Sequence, residues 1–93
     1  MTEKYGNAWD ALYDDDPSYA ESLRIKSELM IMVERFIKEK GLTQKEAAGL
    51  LDVSQPRISD LMRGKIDRFT IDVLINMLSR LGVTMDITIK KAA

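Results

Sequence analysis

Gln55, Arg57, Ser59 and Asp60 put an amide, a guanidinium, a hydroxyl and a carboxylate within one short stretch of chain. Thr43, Gln44, Lys45, Ser54, Arg63, Lys65 and Arg68 stand on either side of them. An amide can pair with adenine through two hydrogen bonds and a guanidinium with guanine. A carboxylate can accept from the amino group of cytosine, and a hydroxyl suits several bases. The flanking cations and small polar groups suit phosphate oxygens, which supply affinity and register but no sequence information. Gln55, Arg57, Ser59 and Asp60 are therefore the expected base-reading set. Thr43, Gln44, Lys45, Ser54, Arg63, Lys65 and Arg68 are the expected phosphate set. Asp60 has a second reading, as the group that orients Arg57 or Arg63.

Other chemistries find little material. The chain has no cysteine and no histidine, which excludes disulfides, Cys/His zinc sites and thiol or imidazole catalysis. Asp14, Asp15 and Asp16 are consecutive carboxylates without the preorganised geometry that a metal needs, and read as a solvated acidic run. No base–nucleophile pair can be assembled from the Ser, Thr and Lys residues, and the six methionines read as core filling. No enzyme, cofactor or metal is expected. There is no signal peptide and no apolar run of the ~20 residues that a bilayer span requires. The expected location is the cytoplasm.

Positioning the polar set requires two short helices joined by a tight turn. Thr43-x-x-Glu46 is a capping box that starts one helix, with Ala47, Leu50 and Leu51 inward and Ala48 small enough for close approach. Asp52-Val53-Ser54 forms the turn. Ser54 caps the next helix, which carries Pro56 in its first turn, Ile58, Leu61 and Met62 inward, and Gly64 at its end. Before this pair, a capping box at Ser18-x-x-Glu21 opens a long helix that ends before Gly41. Its inner stripe is Ile25, Leu29, Met32, Val33 and Phe36, with Ile37 at the margin and Ile31 on the opposite face. After the pair, Thr70 caps a fourth helix through Leu81, with Phe69 stapled onto Leu74. Ile71, Leu74, Ile75, Leu78 and Leu81 make one stripe of that helix, and Val73 and Met77 make another. Residues 83–90 alternate strictly. Val83, Met85, Ile87 and Ile89 fall on one face of an expected strand, and Thr84, Asp86, Thr88 and Lys90 on the other. No other segment offers a partner strand, so the same strand of a second copy is the expected partner; the alternative is a strand-like tail that packs on the fourth helix without pairing. Val83, Met85, Ile87 and Ile89, together with Val73 and Met77, are the expected homodimer interface.

Charge divides the chain. Residues 1–21 hold six acids against one lysine, a balance of −5. Residues 22–93 hold thirteen Lys and Arg against nine acids, a balance of +4. An acidic arm on a basic body suits two partners of opposite charge. Three units follow: an acidic leader at 1–17, a helical body at 18–82, and a dimerisation strand and tail at 83–93. In the leader, Trp9, Leu12 and Tyr13 share one helical face beside Asp14, Asp15 and Asp16, and together form a candidate partner-binding cluster.

The pattern Thr43-Gln44-x-x-Ala47-Ala48-x-x-Leu51-x-Val53-Ser54-Gln55-x-x-Ile58-Ser59-x-Leu61-x-x-Gly64-Lys65 resembles the lambda-repressor-like, Cro/cI-type (XRE) helix-turn-helix family. With the flanking helices the resemblance covers about residues 22–82. It implies a mainly α, four- to five-helix domain, here with one C-terminal β-strand that pairs across a dimer. It also implies that Gln44 meets phosphate and Gln55 a base. Pro56 departs from a position that is often polar and base-reading in the family, which shifts reading toward Gln55, Arg57 and Ser59. The leader from Asn7 to Leu12 and the terminal strand further resemble small HigA-type antitoxins. That narrower likeness implies an autoregulatory repressor on an inverted-repeat operator in double-stranded DNA. It also implies a small basic ribonuclease toxin as partner. The alternatives are a stand-alone XRE-type regulator, or an inhibitor module acting mainly through its leader.

Overall fold

The structure is a computed structural model, and it describes residues 17–91. Among these residues lie four α-helices: α1 at Pro17–Glu39, α2 at Gln44–Leu51, α3 at Gln55–Met62 and α4 at Ile71–Arg80. A single 3₁₀ turn, Ile66–Arg68, separates α3 from α4. The expected partner-binding cluster of Trp9, Leu12, Tyr13, Asp14, Asp15 and Asp16 lies outside the described residues.

Helix boundaries follow local chemistry. α1 opens on Pro17, whose missing N–H would have gone unpaired in a first turn anyway. Ser18 therefore sits inside the helix rather than capping it. The Glu21 carboxylate instead accepts from Arg24 Nε at 3.1 Å and Arg24 Nη2 at 2.6 Å, while Arg24 Nη1 reaches Glu28 at 2.6 Å. The hydrogen bond from Arg24 holds the Glu21 carboxyl below its ordinary range. The caps of the later helices stand as expected. Thr43 Oγ1 accepts from the N–H of Glu46, Ser54 Oγ from that of Arg57, and Thr70 Oγ1 from that of Val73. Each such cap contributes on the order of 1 kcal/mol.

The core draws on every helix. Met30, Val33 and Ile37 of α1, Ala47, Ala48 and Leu51 of α2, Ile58 and Leu61 of α3, and Leu74, Met77 and Leu78 of α4 are all buried. Phe69 and Leu81 complete it from the helix ends. The α1 stripe is rotated from its expected position: Ile37 is central, Leu29, Met32 and Phe36 flank the core, and Ile25 is exposed. Length accounts for the exposure of Ile25. α1 spans 23 residues and α4, its main partner, only 10. At 1.5 Å per residue those are roughly 34 and 15 Å, so one end of α1 outruns the helix that covers it. Leu50 and Ile75, expected inward, are 41 and 37 % exposed, whereas Ile31 is exposed as expected.

Met77 needs a further correction. It is 2 % exposed and part of the protomer's own core, so it cannot contribute a dimer surface. Val73 is half-buried and packs against the same core.

Residues 83–91 carry no regular secondary structure, and no strand occurs among the described residues. A ladder needs a second strand, and none lies within the described chain to supply it. The expected alternation does not appear in the exposure, since every residue from 84 to 90 is exposed. Val83 packs on the core, with its N–H bonded to the Leu78 carbonyl at 3.0 Å, while Met85, Ile87 and Ile89 are exposed. No helix among the described residues is long and apolar enough to cross a membrane.

Candidate nucleic-acid interface

α2 and α3 pack against each other through small and branched residues. Ala47 and Ala48 of α2 are buried, as are Ile58 and Leu61 of α3. The small alanines allow the close approach that a tight two-helix unit requires. The turn between them runs through Asp52, at φ 58° in the left-handed region that Asp tolerates better than most residues. Val53 is half-buried against the core, which holds the turn down.

Burial of Ile58 and Leu61 defines the opposite, solvent-facing side of α3. At about 100° per residue, Pro56 and Arg63 fall at the middle of that side. Ser59 and Asp60 flank them, and Gln55 stands at the leading edge. Gln55, Pro56 and Arg63 are exposed, and Ser59 and Asp60 half-buried. Arg63, expected only as a phosphate contact, therefore shares the outer face with the expected base readers.

Arg57 does not. It lies about 110° from the middle of the outer face, and its guanidinium turns toward the following loop. Its carbon centre sits 4.6 Å from the centroid of the Phe69 ring, and Nη1 donates to the Arg68 carbonyl at 2.8 Å. In the free protein Arg57 ties α3 to the loop at 65–70 instead of presenting a fork to solvent. Arg57→Ala is expected to cost about 1–2 kcal/mol of folding stability, through the lost ring stacking and charged hydrogen bond. It should leave the choice among DNA sequences unchanged. Urea unfolding and competition binding measure the two effects, and a relaxed preference at one base pair would return Arg57 to the reading set.

Asp60 is likewise engaged, though with neither Arg57 nor Arg63. Its carboxylate faces Arg68 Nη1 at 3.2 Å and Lys65 Nζ at 3.7 Å. Gly64, at φ +72°, makes this possible. Its left-handed conformation ends α3 and sends the chain back along the helix, with Lys65 N–H bonded to the Asp60 carbonyl. The structure thus gathers Arg57, Asp60, Lys65, Arg68 and Phe69 into one cluster.

The other expected phosphate residues divide by position. Thr43 and Ser54 spend their side-chain oxygens as acceptors on helix N–H groups. Gln44 and Lys45 are exposed in the first turn of α2, where the unpaired N–H groups and the helix dipole favour an anion. Lys45 and Arg63 have no ion-pair partner among the described residues. Phe69 was not expected at this site. It lies twelve positions beyond Arg57, too far for helical spacing to link them. No group of His, Cys, Asp and Glu suited to a metal occurs among the described residues.

Residues 12–90 match the family described as helix-turn-helix domain. The solved structure of an XRE family transcriptional regulator superposes with a TM-score of 0.73 at 30 % identity, over 78 % of this chain and 82 % of that one. No curated protein gives a significant sequence match.

Proposed function

The chain belongs to the helix-turn-helix family, of the XRE type, and from that premise we propose that it is a sequence-specific DNA-binding transcriptional repressor. α3 enters the major groove with Gln55, Ser59 and Arg63 toward the bases. Gln44, Lys45, Lys65 and Arg68 contact the backbone. The observation that carries this reading is the outer face of α3: polar and solvent-facing, on a helix anchored by Ile58 and Leu61 at 0 and 2 % exposure. A salt titration of duplex binding tests it. Binding should weaken linearly in log–log form as salt rises. Lys45→Gln should reduce the slope by about one, equally for every sequence. Affinity independent of salt would contradict the reading.

The repressor acts as a homodimer. Exposed Met85, Ile87 and Ile89 form an apolar row on a segment whose backbone lacks a ladder partner. A second copy paired there across a two-fold axis covers the row and satisfies the backbone at once. The operator is then an inverted repeat, and the protein's own promoter is the expected location.

The acidic leader gives the repressor a second partner. Trp9, Leu12 and Tyr13 among Asp14, Asp15 and Asp16 suit a small basic protein, and a ribonuclease toxin is the one we propose, with this chain as its antitoxin. Deleting residues 1–17 should abolish capture of the protein encoded beside this one and leave duplex binding intact. A complex that survives the deletion would remove the leader from that role.

A further inference from the structure

Asp60 is the one acidic residue of α3, and it stands beside the face proposed to meet DNA. Acid at such a place works against the polyanion. Its carboxylate is divided between two cations, with Oδ2 accepting from Arg68 Nη1 at 3.2 Å and Oδ1 facing Lys65 Nζ at 3.7 Å. The Asp60 side chain is 18 % exposed, against 38 % for Lys65 and 54 % for Arg68. The anion is therefore held in place while the cations remain within reach of solvent. The backbone under them is fixed as well. Arg57 Nη1 holds the Arg68 carbonyl, and Arg57 itself is stacked on buried Phe69.

We infer that Asp60 is a specificity-determining residue that occupies Lys65 and Arg68 in the free protein as a DNA phosphate would, and so suppresses sequence-independent binding. This rests on the DNA-binding reading above. Sequence-independent affinity comes from cations meeting phosphates. Two of the chain's candidate phosphate contacts are already matched by a carboxylate within 4 Å. A phosphate must compete with Asp60 for them on every duplex. On a matching site the same carboxylate also aims the two side chains, in a register that base contacts have fixed. On an arbitrary site no fixed register rewards that aim. Removing the charge therefore helps arbitrary DNA more than the matching site.

The test uses the full chain and two duplexes of equal length: one recovered by selection from a randomised pool, and a scrambled version of it. Asp60→Asn keeps the side chain's shape and removes its charge. Affinity for the scrambled duplex should rise roughly fivefold, within the range of two partly exposed ion pairs, and its salt slope should steepen by about one. The selected duplex should gain twofold at most, roughly, so the ratio of the two affinities falls. Glu28→Gln removes the same charge from α1 and should leave that ratio unchanged. Arg68→Gln should weaken scrambled-duplex binding more in the Asp60→Asn background than in the parent. An equal response to Asp60→Asn and Glu28→Gln would overturn the inference. So would Asp60→Asn weakening both duplexes alike with the melting temperature unaltered. A parent chain that binds neither duplex overturns the DNA reading itself, and this inference with it.

Discussion

Phe69→Ala is expected to lower folding stability by about 3–5 kcal/mol, the range for removing a buried phenyl ring. Small domains hold about 5–15 kcal/mol in total, and one of this length sits toward the lower end. The variant should therefore be substantially unfolded on mild heating or in low urea. Two structural facts make Phe69 a costly place to lose volume. It is 2 % exposed, at the junction where the 3₁₀ turn leads into α4. Its ring is also the surface on which Arg57 rests. Phe69→Leu separates these roles, because it restores most of the apolar volume and none of the aromatic face. It should recover most of the stability. Arg57→Ala should then cost less in the Phe69→Leu background than in the parent, and the difference measures the stacking. Equal costs in both backgrounds would mean that the ring contributes packing alone.

Ile87→Asp is expected to weaken operator binding by about 100-fold or more while leaving the fold intact. Ile87 is 77 % exposed, so a charge there disturbs no core. In the proposed dimer it faces the two-fold partner. Losing the dimer turns one bivalent contact with two half-sites into two separate ones, and linked sites gain about 10²–10⁴ in avidity. Thr88→Asp is the control. It adds the same charge one residue on, where the side chain of an extended segment points the other way. It should leave both dimer and affinity in place. Sedimentation equilibrium and gel-shift titration read the two properties. Matching effects from Ile87→Asp and Thr88→Asp would reduce the result to charge repulsion from DNA and remove the interface.

The parts of this fold that could be read from sequence are those settled within one helical turn. Thr43, Ser54 and Thr70 were identifiable as caps because a cap and its bonded N–H are three residues apart, although the same spacing at Ser18 and Glu21 marked a helix that already begins at Pro17. Ile58 and Leu61 were identifiable as the anchors of α3 by the same spacing. What depended on a distant partner was not readable. Ile25 is exposed where α1 outruns the shorter helix covering it, and Ile37 is buried by helices distant in sequence; periodicity within α1 carries neither piece of information. Met77 looked available on its own helix and is core once α4 is packed. The α3 face shows the same division. Gln55 and Ser59 project where spacing put them. Arg57 and Asp60 were captured by Phe69, Lys65 and Arg68, which only the turn at Gly64 brings within reach. The alternation at 83–90 suggested a strand. It could not say whether a ladder partner exists within one chain, and none lies among the described residues.

The central claim is that the outer face of α3 chooses the sequence. Selection from a randomised duplex pool, run in parallel with the parent chain and with Gln55→Ala, tests it most directly. Gln55 is exposed, at the first position of α3 and outside the cluster around Asp60. Its loss should therefore leave the fold and the phosphate contacts alone. The parent should enrich an inverted repeat whose half-sites lie about one helical turn apart. Gln55→Ala should enrich the same repeat with the preference erased at one base pair in each half. A parent that enriches no sequence, or a variant with the same preference at every position, would contradict the claim.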